Sequence, residues 1–137
     1  MTIQSVLLDT GPFVALFDRR DAAHAASVQY FETCTAPLIT TEAVLTETLH
    51  LLGTPRNQDL ALEFVLRGAA IVVPADVASL THCRALMRKY ADVPMDYADA
   101  TLVALADATG IADVFTLDRR GFSVYRIGGR RAFRVMP

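Results

Sequence analysis

The sequence has few of the residues that several common kinds of protein site require. Its two cysteines, Cys34 and Cys83, form no metal-type pair and cannot supply a disulfide framework. Its three histidines, His24, His50 and His82, are scattered, so a zinc site is not expected. No apolar run approaches the roughly 20 residues that span a bilayer, and no secretory signal is recognisable. We therefore expect a cytoplasmic protein without membrane association.

The charges are distributed unevenly along the chain. Residues 1–118 carry seven basic and fifteen acidic side chains, whereas residues 119–137 carry six arginines and no acid. An acidic body with an arginine-rich end is typical of a protein that holds cations in one place and phosphates in another, although a solvated tail has the same composition.

The hydrophobic pattern alternates between short runs typical of strands and longer runs with helical spacing. At 137 residues, without a repeat or linker, the chain is expected to be one domain over residues 1–137. The alternation favours βαβ units and a mostly parallel sheet in an α/β fold, with helices on both faces. We predict strands over residues 6–8, 37–39, 70–73, 114–116 and 123–127, and residues 133–135 are a candidate for a short last strand. Helices are predicted over residues 12–17, 22–33, 58–67, 76–90 and 96–109, with a further helix that Thr40 or Thr41 caps and that ends at Leu52.

Two aspartates directly follow predicted strands. Asp9 comes after the first strand and Asp118 after the fourth, and ligands of such sheets bind outside the carboxyl ends of the strands. The two side chains are expected to meet if these strands are neighbours. A turn aspartate or a helix cap is the structural alternative for each of them.

Two further acids lie on predicted apolar helix faces. Glu47 and Asp99 share their faces with hydrophobic residues at helical spacing, where a carboxylate is unfavourable unless a cation or a partner compensates it. Asp96 lies one turn before Asp99 and is expected to cap its helix and to support the site. Thr10, next to Asp9, is a second candidate supporting residue.

The four acids Asp9, Glu47, Asp99 and Asp118 are therefore predicted to converge in one crevice. Carboxylates that repel each other raise each other's pKa, and a hard divalent cation relieves the repulsion. Oxygen ligands alone favour Mg²⁺ or Mn²⁺, and such sites support hydrolysis of phosphodiesters.

Other acid-based chemistries fit the sequence less well. An aspartic protease needs two Asp-Thr-Gly turns in an all-β fold, and this chain has one. A phosphatase of the haloacid dehalogenase type needs a second aspartate where Gly11 stands. A receiver-type phosphoacceptor at Asp9 needs a lysine at a late strand end, and the single lysine, Lys89, lies in a predicted helix.

Four segments in this order and spacing resemble the PIN domain, and within it the VapC-type toxins of toxin–antitoxin pairs. They are Leu8-Asp9-Thr10-Gly11-Pro12, the stretch from Thr40-Thr41 through Val44-Leu45-Thr46-Glu47-Thr48-Leu49, Met95-Asp96-Tyr97-Ala98-Asp99-Ala100, and Phe115-Thr116-Leu117-Asp118-Arg119-Arg120-Gly121-Phe122. The resemblance covers nearly the whole chain.

The resemblance implies a three-layer fold with a five-stranded sheet in the order 3-2-1-4-5. It implies an Mg²⁺- or Mn²⁺-dependent endoribonuclease whose metal-binding acids map onto Asp9, Glu47, Asp99 and Asp118. It also implies a structured RNA substrate such as tRNA or rRNA, a homodimer, and an antitoxin that covers the active groove. Arg119 and Arg120 are the arginines expected to contact RNA.

One position departs from the pattern of this family. Many relatives have an acidic or polar residue before the phenylalanine of the last segment, where this chain has Gly121. The departure leaves Asp118 as the only carboxylate of that turn. A PIN-like module that binds RNA or a protein without cleavage remains the alternative function.

Overall fold

The computed structural model describes residues 4–137, which form an α/β fold with seven strands and seven helices. In chain order the elements are β1 (Val6–Leu8), α1 (Thr10–Phe17), α2 (His24–Thr33), β2 (Leu38–Thr41), α3 (Glu42–Leu52), α4 (Pro55–Leu66), β3 (Ala70–Val73), α5 (Val77–Lys89), α6 (Tyr97–Thr109), β4 (Asp113–Phe115), α7 (Arg119–Phe122), β5 (Arg126–Ile127), β6 (Arg131–Ala132) and β7 (Arg134–Met136). Within residues 4–137, no helix is long and apolar enough to cross a membrane.

Five strands form one parallel sheet in the order β3-β2-β1-β4-β7. β1 lies at its centre, and all three of its side chains are buried. Crossovers between parallel strands are right-handed. The helices α1–α4, which connect β1, β2 and β3, therefore lie on one face, while α5 and α6, on the way to β4, lie on the other. The predicted α/β class and the predicted strand order are both confirmed, with β7 in the fifth position.

The prediction of a strand over residues 123–127 is wrong. The residues before it, Arg119–Phe122, form α7, and within the predicted strand only Arg126–Ile127 is extended, in a two-stranded antiparallel hairpin with β6 outside the main sheet. A parallel neighbour of β4 needs a crossover of about a dozen residues, and the predicted strand begins too soon after β4. The candidate short strand at 133–135 corresponds to β7, which completes the sheet.

Helix α4 begins at Pro55, three residues before its predicted start. The Thr54 side chain accepts a hydrogen bond from the Asn57 backbone N–H, and Pro55 occupies the first helical turn, where its missing N–H is not needed. Similarly, α1 begins at Thr10 because the Asp9 side chain caps it. Both starts were placed too late because the capping residue was treated as part of the preceding turn.

Aromatic packing holds the first layer of helices together. The rings of Phe13 and Phe17 on α1 lie 5.9 Å and 5.2 Å from the ring of Phe64 on α4, and Phe31 on α2 lies 5.1 Å from the same ring. Since α1 directly follows β1, this packing fixes the direction in which the chain leaves the centre of the sheet. Asp9 stands at that junction.

Candidate active site

The pairing of β1 with β4 brings two of the predicted acids to the same edge of the sheet. Leu8 pairs with Phe115, and the Asp9 backbone N–H donates to the Phe115 carbonyl at 3.0 Å. Asp9 and Asp118 both line a cleft of about 440 Å³ at this edge. The neighbouring position of the two strands, on which the sequence argument depended, is therefore confirmed.

Asp9 is held in a fixed orientation at the bottom of this cleft. It is 5% exposed, and its two carboxylate oxygens accept hydrogen bonds from the Thr10 backbone N–H at 2.8 Å and the Thr116 hydroxyl at 2.7 Å. Burial raises the pKa of Asp9 to about 6, even though these two hydrogen bonds lower it. The nearby charges of Asp96 and Asp118 raise it further. The ionised form of Asp9 is therefore disfavoured at this position, and a bound cation would stabilise it.

Thr10, predicted to support the site, contacts Asp9 through its backbone. The Thr10 N–H contacts Asp9, whereas the buried Thr10 hydroxyl has no hydrogen-bond partner among the described residues.

Thr116 connects the two strand-end aspartates and was missed by the sequence reasoning. Its hydroxyl donates to Asp9 and accepts a hydrogen bond from the Asp118 backbone N–H at 2.9 Å. The available signal was the spacing Thr116-Leu117-Asp118, which places a threonine at the last position before the turn, on a strand that pairs with β1. Thr116 is buried, and its hydroxyl fixes the Asp9 carboxylate relative to the backbone of Asp118.

If the site cleaves RNA, as the resemblance to the PIN domain implies, we expect Thr116→Val to reduce cleavage about tenfold to a hundredfold, because a hydrogen bond to a charged group contributes roughly 1.5–3 kcal/mol. The valine leaves Asp9 without its hydroxyl donor and Asp118 N–H without its acceptor. Initial rates of RNA cleavage at saturating divalent cation measure the effect. Thr116→Ser retains both hydrogen bonds and is the matched control; equal rates for Val and Ser variants would contradict this role.

The first turn of α6 contributes two acids that cap the helix together. The Asp96 side chain accepts from the Asp99 backbone N–H at 2.7 Å, and Asp99 Oδ2 accepts from the Asp96 N–H at 3.2 Å. The prediction that Asp96 caps this helix is thus confirmed. Burial, followed by the charges of Asp9 and Asp96, raises the pKa of Asp99 to about 8.

Tyr125 is a further residue that the sequence reasoning missed. Its side chain is 1% exposed, and its hydroxyl donates to Asp99 Oδ2 over a long distance, 3.3 Å. Its ring packs against Phe122 and Tyr90, with ring centres 5.2 Å and 5.1 Å away. Tyr125 was assigned to a strand of the sheet from the sequence, and no pattern indicated that its ring would turn toward α6.

Asp118 is held by the backbone of the short helix that follows it. Its Oδ1 accepts from the Gly121 N–H at 3.0 Å. A β-carbon at position 121 would lie 2.5 Å from Asp118 Oδ2 and 3.0 Å from the Tyr125 hydroxyl. Gly121 therefore makes room for Asp118 and Tyr125, and this chain has no space there for an additional acidic side chain.

Glu47 reaches the cleft from α3, two turns after the helix begins. It is half-buried and lines the same cleft as Asp9, Asp99 and Asp118. The hydroxyls of Thr41 and Thr101 lie 2.7 Å apart and connect the start of α3 to α6. All four predicted site acids are therefore brought to one cleft by four separate elements.

The cleft is strongly acidic and contains no compensating cation. Asp21, in the turn after α1, is a sixth acid that lines it, and no sequence pattern singled it out. No lysine or arginine lines the cleft, and both ion pairs found within residues 4–137 lie elsewhere. The single lysine, Lys89, lies over the Tyr90 ring instead, which disfavours the phosphoacceptor interpretation of Asp9.

The chemistry of the donors fits a hard divalent cation. Every titratable group that lines the cleft is a carboxylate, and Mg²⁺ and Mn²⁺ prefer oxygen ligands. As the side chains stand, no group of three or more His, Cys, Asp or Glu residues within residues 4–137 is close enough together to hold a metal ion, so the fit rests on the chemistry of the donors. An open carboxylate site of this kind suits Mg²⁺, which retains several water ligands.

Most arginines near the end of the chain are bound to the protein itself. Arg119 donates to the Pro137 carbonyl at 2.7 Å, Arg131 donates to the Gly110 carbonyl at 3.1 Å, and Arg134 forms a two-bond ion pair with Asp113. The Arg126 guanidinium binds three carbonyls of its own turn. Neither Arg119 nor the exposed Arg120 lines the acidic cleft, so their predicted contact with RNA stays a prediction.

The PIN domain family matches residues 6–128, from β1 into the hairpin, and the match includes all six acids of the cleft. The chain belongs to the PIN domain family. The resemblance read from the four sequence segments is therefore confirmed.

Relatives of this PIN domain include a curated ribonuclease. Ribonuclease VapC26 of Mycobacterium tuberculosis (strain ATCC 25618 / H37Rv) is 34% identical over 137 residues, which cover 96% of this chain and 100% of that protein. Among solved structures, the fold is similar to that of VapC20 of Mycobacterium tuberculosis, described as a Sarcin-Ricin loop cleaving toxin, with a TM-score of 0.79. That comparison covers 85% of this chain and 92% of VapC20 at 21% identity, so it supports the PIN fold alone.

Proposed function

We propose that this PIN domain is an Mg²⁺- or Mn²⁺-dependent endoribonuclease and the toxin of a VapBC-type toxin–antitoxin pair. The observation that carries the proposal is the cleft in which acids from four separate elements meet without a lysine or arginine. The 34% identity to Ribonuclease VapC26 supports RNA as the substrate class.

Asp9, Glu47, Asp99 and Asp118 are the residues that would hold the metal. A divalent cation, when bound there, supplies activation of an attacking water and neutralisation of charge on the scissile phosphate. The Thr116 hydroxyl fixes the Asp9 carboxylate relative to the backbone of Asp118. The Gly121 N–H orients the Asp118 carboxylate, and the half-buried Asp99 faces the cleft with one oxygen free of hydrogen bonds to the protein.

Structured RNA, such as tRNA or rRNA, is the proposed substrate, with Arg119 and Arg120 at its backbone. The remaining proposals follow from similarity to VapC-type toxins: an antitoxin that covers the acidic cleft, a homodimer, and action in the cytoplasm as a single domain over residues 1–137. Exposed apolar side chains on α5 and at the start of α6 support the dimer: Val77 is 80% exposed, Leu80 47% and Tyr97 37%.

Removal and replacement of the metal tests this function directly. We expect cleavage of an RNA hairpin with Mg²⁺ or Mn²⁺, loss of cleavage in excess EDTA, and recovery when the cation is restored. Isothermal titration with Mn²⁺ is expected to show binding to the purified protein. The alternative is a PIN domain that binds RNA or a protein without cutting. It predicts that the partner binds and that no RNA is cleaved, whether or not a divalent cation is present. Undiminished cleavage in EDTA would contradict the proposal.

A further inference from the structure

A basic pocket adjoins the acidic cleft and is formed by residues that no sequence pattern grouped together. It has a volume of about 400 Å³ and lies between the turn after α1 and the start of α4. Three arginines line it, two from the turn (Arg19 and Arg20) and one from the first turn of α4 (Arg56). Asp18 is the only acid among its lining residues, so the pocket is net positive.

The three arginines have no ion-pair partner within residues 4–137, because the two ion pairs there are His82–Asp107 and Arg134–Asp113. Asp18 uses one carboxylate oxygen to accept from the Arg20 backbone N–H at 3.0 Å. This differs from the arginines near the end of the chain, four of which donate to protein groups. The guanidinium groups of the basic pocket are thus available to an external anion.

Helix stability explains two of these arginines but not the third. Arg19 and Arg20 follow the C-terminal end of α1, where a cation interacts favourably with the helix dipole. Arg56 lies in the first turn of α4, where the same dipole disfavours a cation, and it shares the pocket with two like charges. An anion bound between the three groups would remove both unfavourable interactions.

A fourth side chain of the pocket has a defined hydrogen-bonding state. The Nδ1 atom of His24 lies 2.6 Å from the Ala15 carbonyl oxygen, which can only accept, so Nδ1 carries the proton. The Nε2 atom of the neutral imidazole is then an acceptor, so His24 offers no donor to a phosphate. Asn57, also at the pocket, adds a polar amide. The donors of the lining that suit a phosphate group are therefore the three guanidinium groups and this amide.

The basic pocket and the acidic cleft are adjacent along the same turn. Arg20 lines the pocket and Asp21, the next residue, lines the cleft. The α-carbons of consecutive residues are about 3.8 Å apart, so the pocket and the Asp21 edge of the cleft are neighbouring surfaces. The strongly acidic cleft repels a polyanion, and a neighbouring basic pocket would offset that repulsion.

We propose that Arg19, Arg20 and Arg56 bind a backbone phosphate of the RNA substrate beside the scissile bond. The inference rests on the proposed ribonuclease function and deepens it, since it identifies a substrate-anchoring surface outside the four acids. Arginine suits the role because its planar group binds phosphate through two parallel hydrogen bonds.

The salt dependence of RNA binding tests this inference. Binding of a fluorescein-labelled RNA hairpin is measured by anisotropy at several salt concentrations, in an Asp99→Asn background that does not cleave. Each lost phosphate contact lowers the log–log salt slope by about 0.7 for single-stranded RNA, so loss of the one proposed phosphate contact in Arg20→Ala/Arg56→Ala is expected to lower it by about 0.7. In the wild-type background, the same double variant is expected to raise KM for cleavage and to leave kcat unchanged.

The matched control removes two arginines from other surfaces. Arg67→Ala/Arg130→Ala makes the same change in net charge, and both of its side chains are exposed and outside the pocket. We expect this variant to keep the wild-type slope and KM. The inference is overturned if the two double variants have equal salt slopes, or if Arg20→Ala/Arg56→Ala weakens the binding of a protein partner but not of RNA. Either result leaves the ribonuclease function standing. Failure of the unmutated protein to bind and cleave RNA would overturn both.

Discussion

Replacement of Asp99 by asparagine is expected to abolish RNA cleavage and, at neutral pH without a divalent cation, to make the protein more stable. The loss of cleavage should exceed a hundredfold, since even residues that only support metal ligands contribute about tenfold to a hundredfold. The gain in stability follows because Asp99 stays largely protonated in the folded protein but ionises freely in the unfolded chain, a cost of folding that asparagine does not have. Initial cleavage rates and thermal unfolding measure the two effects on the same samples.

The hydrogen bonds of Asp99 make asparagine a close structural substitute. The Asp96 backbone N–H and the Tyr125 hydroxyl both donate to the same oxygen, Oδ2. The amide oxygen of an asparagine can occupy that position, and its NH₂ group then replaces Oδ1 on the side of the cleft. The variant therefore keeps the contacts that close the first turn of α6 and loses only the negative charge.

The pH dependence of stability follows from the pKa of Asp99. Burial and the charges of Asp9 and Asp96 raise this pKa to about 8 in the folded protein, whereas the ordinary pKa of an aspartate, 3.8, applies to the unfolded chain. Between these values the folded protein binds more protons than the unfolded chain, so the free energy of unfolding falls as pH rises. Above the folded pKa both states are ionised, and no further loss from this group is expected. The raised pKa of Asp9, about 6, acts in the same direction over a narrower range.

In Asp99→Asn, the free energy of unfolding should depend less on pH than in the wild type. At pH 7.5 we expect Asp99→Asn to unfold about 3–5 °C above the wild type, which corresponds to roughly 1 kcal/mol in a domain of this size. Saturating Mn²⁺ should raise the unfolding temperature of the wild type and have little effect on the variant. Asp59→Asn, which removes an exposed charge from α4, is the control and should match the wild type in both respects. A variant that is inactive and also less stable at pH 7.5 would contradict the electrostatic explanation.

Substitution of Gly121 by alanine is expected to impair the site through Asp118. The added β-carbon would lie 2.5 Å from Asp118 Oδ2 and 3.1 Å from Tyr125 Cε2, distances that require both side chains to move. Displacement of Asp118 breaks its hydrogen bond with the Gly121 N–H. We expect a loss of about 1–3 kcal/mol in the free energy of unfolding, which is typical of an overpacked interior. Mn²⁺ affinity and cleavage should each fall at least about tenfold, as for loss of a residue that orients a metal ligand.

A second glycine in the same cleft provides the control. A β-carbon at Gly11 would lie 3.4 Å from the nearest atoms of Leu117, an ordinary van der Waals contact, and Gly11 is within α1. Gly11→Ala should therefore keep the stability and the Mn²⁺ affinity of the wild type. Titration calorimetry and chemical unfolding of the two variants separate crowding at Asp118 from a general effect of an added methyl group. If Gly121→Ala binds Mn²⁺ as tightly as Gly11→Ala, the explanation for Gly121 is wrong.

The position of the central acids could be predicted from local sequence alone. An acid at the end of a buried strand stands at the carboxyl edge of a parallel sheet, which places Asp9 and Asp118 at that edge. Whether the two meet depended on β1 and β4 being neighbours, which the structure shows. The acids Glu47 and Asp99 could be selected because they interrupt apolar helix faces. Both arguments use only the spacing of neighbouring residues. In a regular strand or helix, this spacing sets the face from which each side chain projects.

The last strand of the sheet could not be assigned in the same way. Residues 123–127 have the composition of a strand, but the Tyr125 ring packs against Phe122 and against Tyr90 after α5, and its hydroxyl donates to Asp99 on α6. The choice between this segment and β7 as the neighbour of β4 depends on the length of the crossover and on that packing. Neither the crossover length nor this packing can be read from residues 123–127 alone.

The sequence by itself determined the α/β class and singled out the four acids Asp9, Glu47, Asp99 and Asp118, since these follow from the period of hydrophobic residues and from the position of each acid relative to it. The order of the strands was expected only from the resemblance to the PIN domain. Only the tertiary structure decided that Thr116 joins Asp9 to Asp118, that Tyr125 reaches Asp99, and that Arg56 meets Arg19 and Arg20 beside the cleft. Each of these contacts joins residues distant in the chain, and their distance depends on how separate elements pack. A pattern within one element carries no information about which side chain of another element will face it.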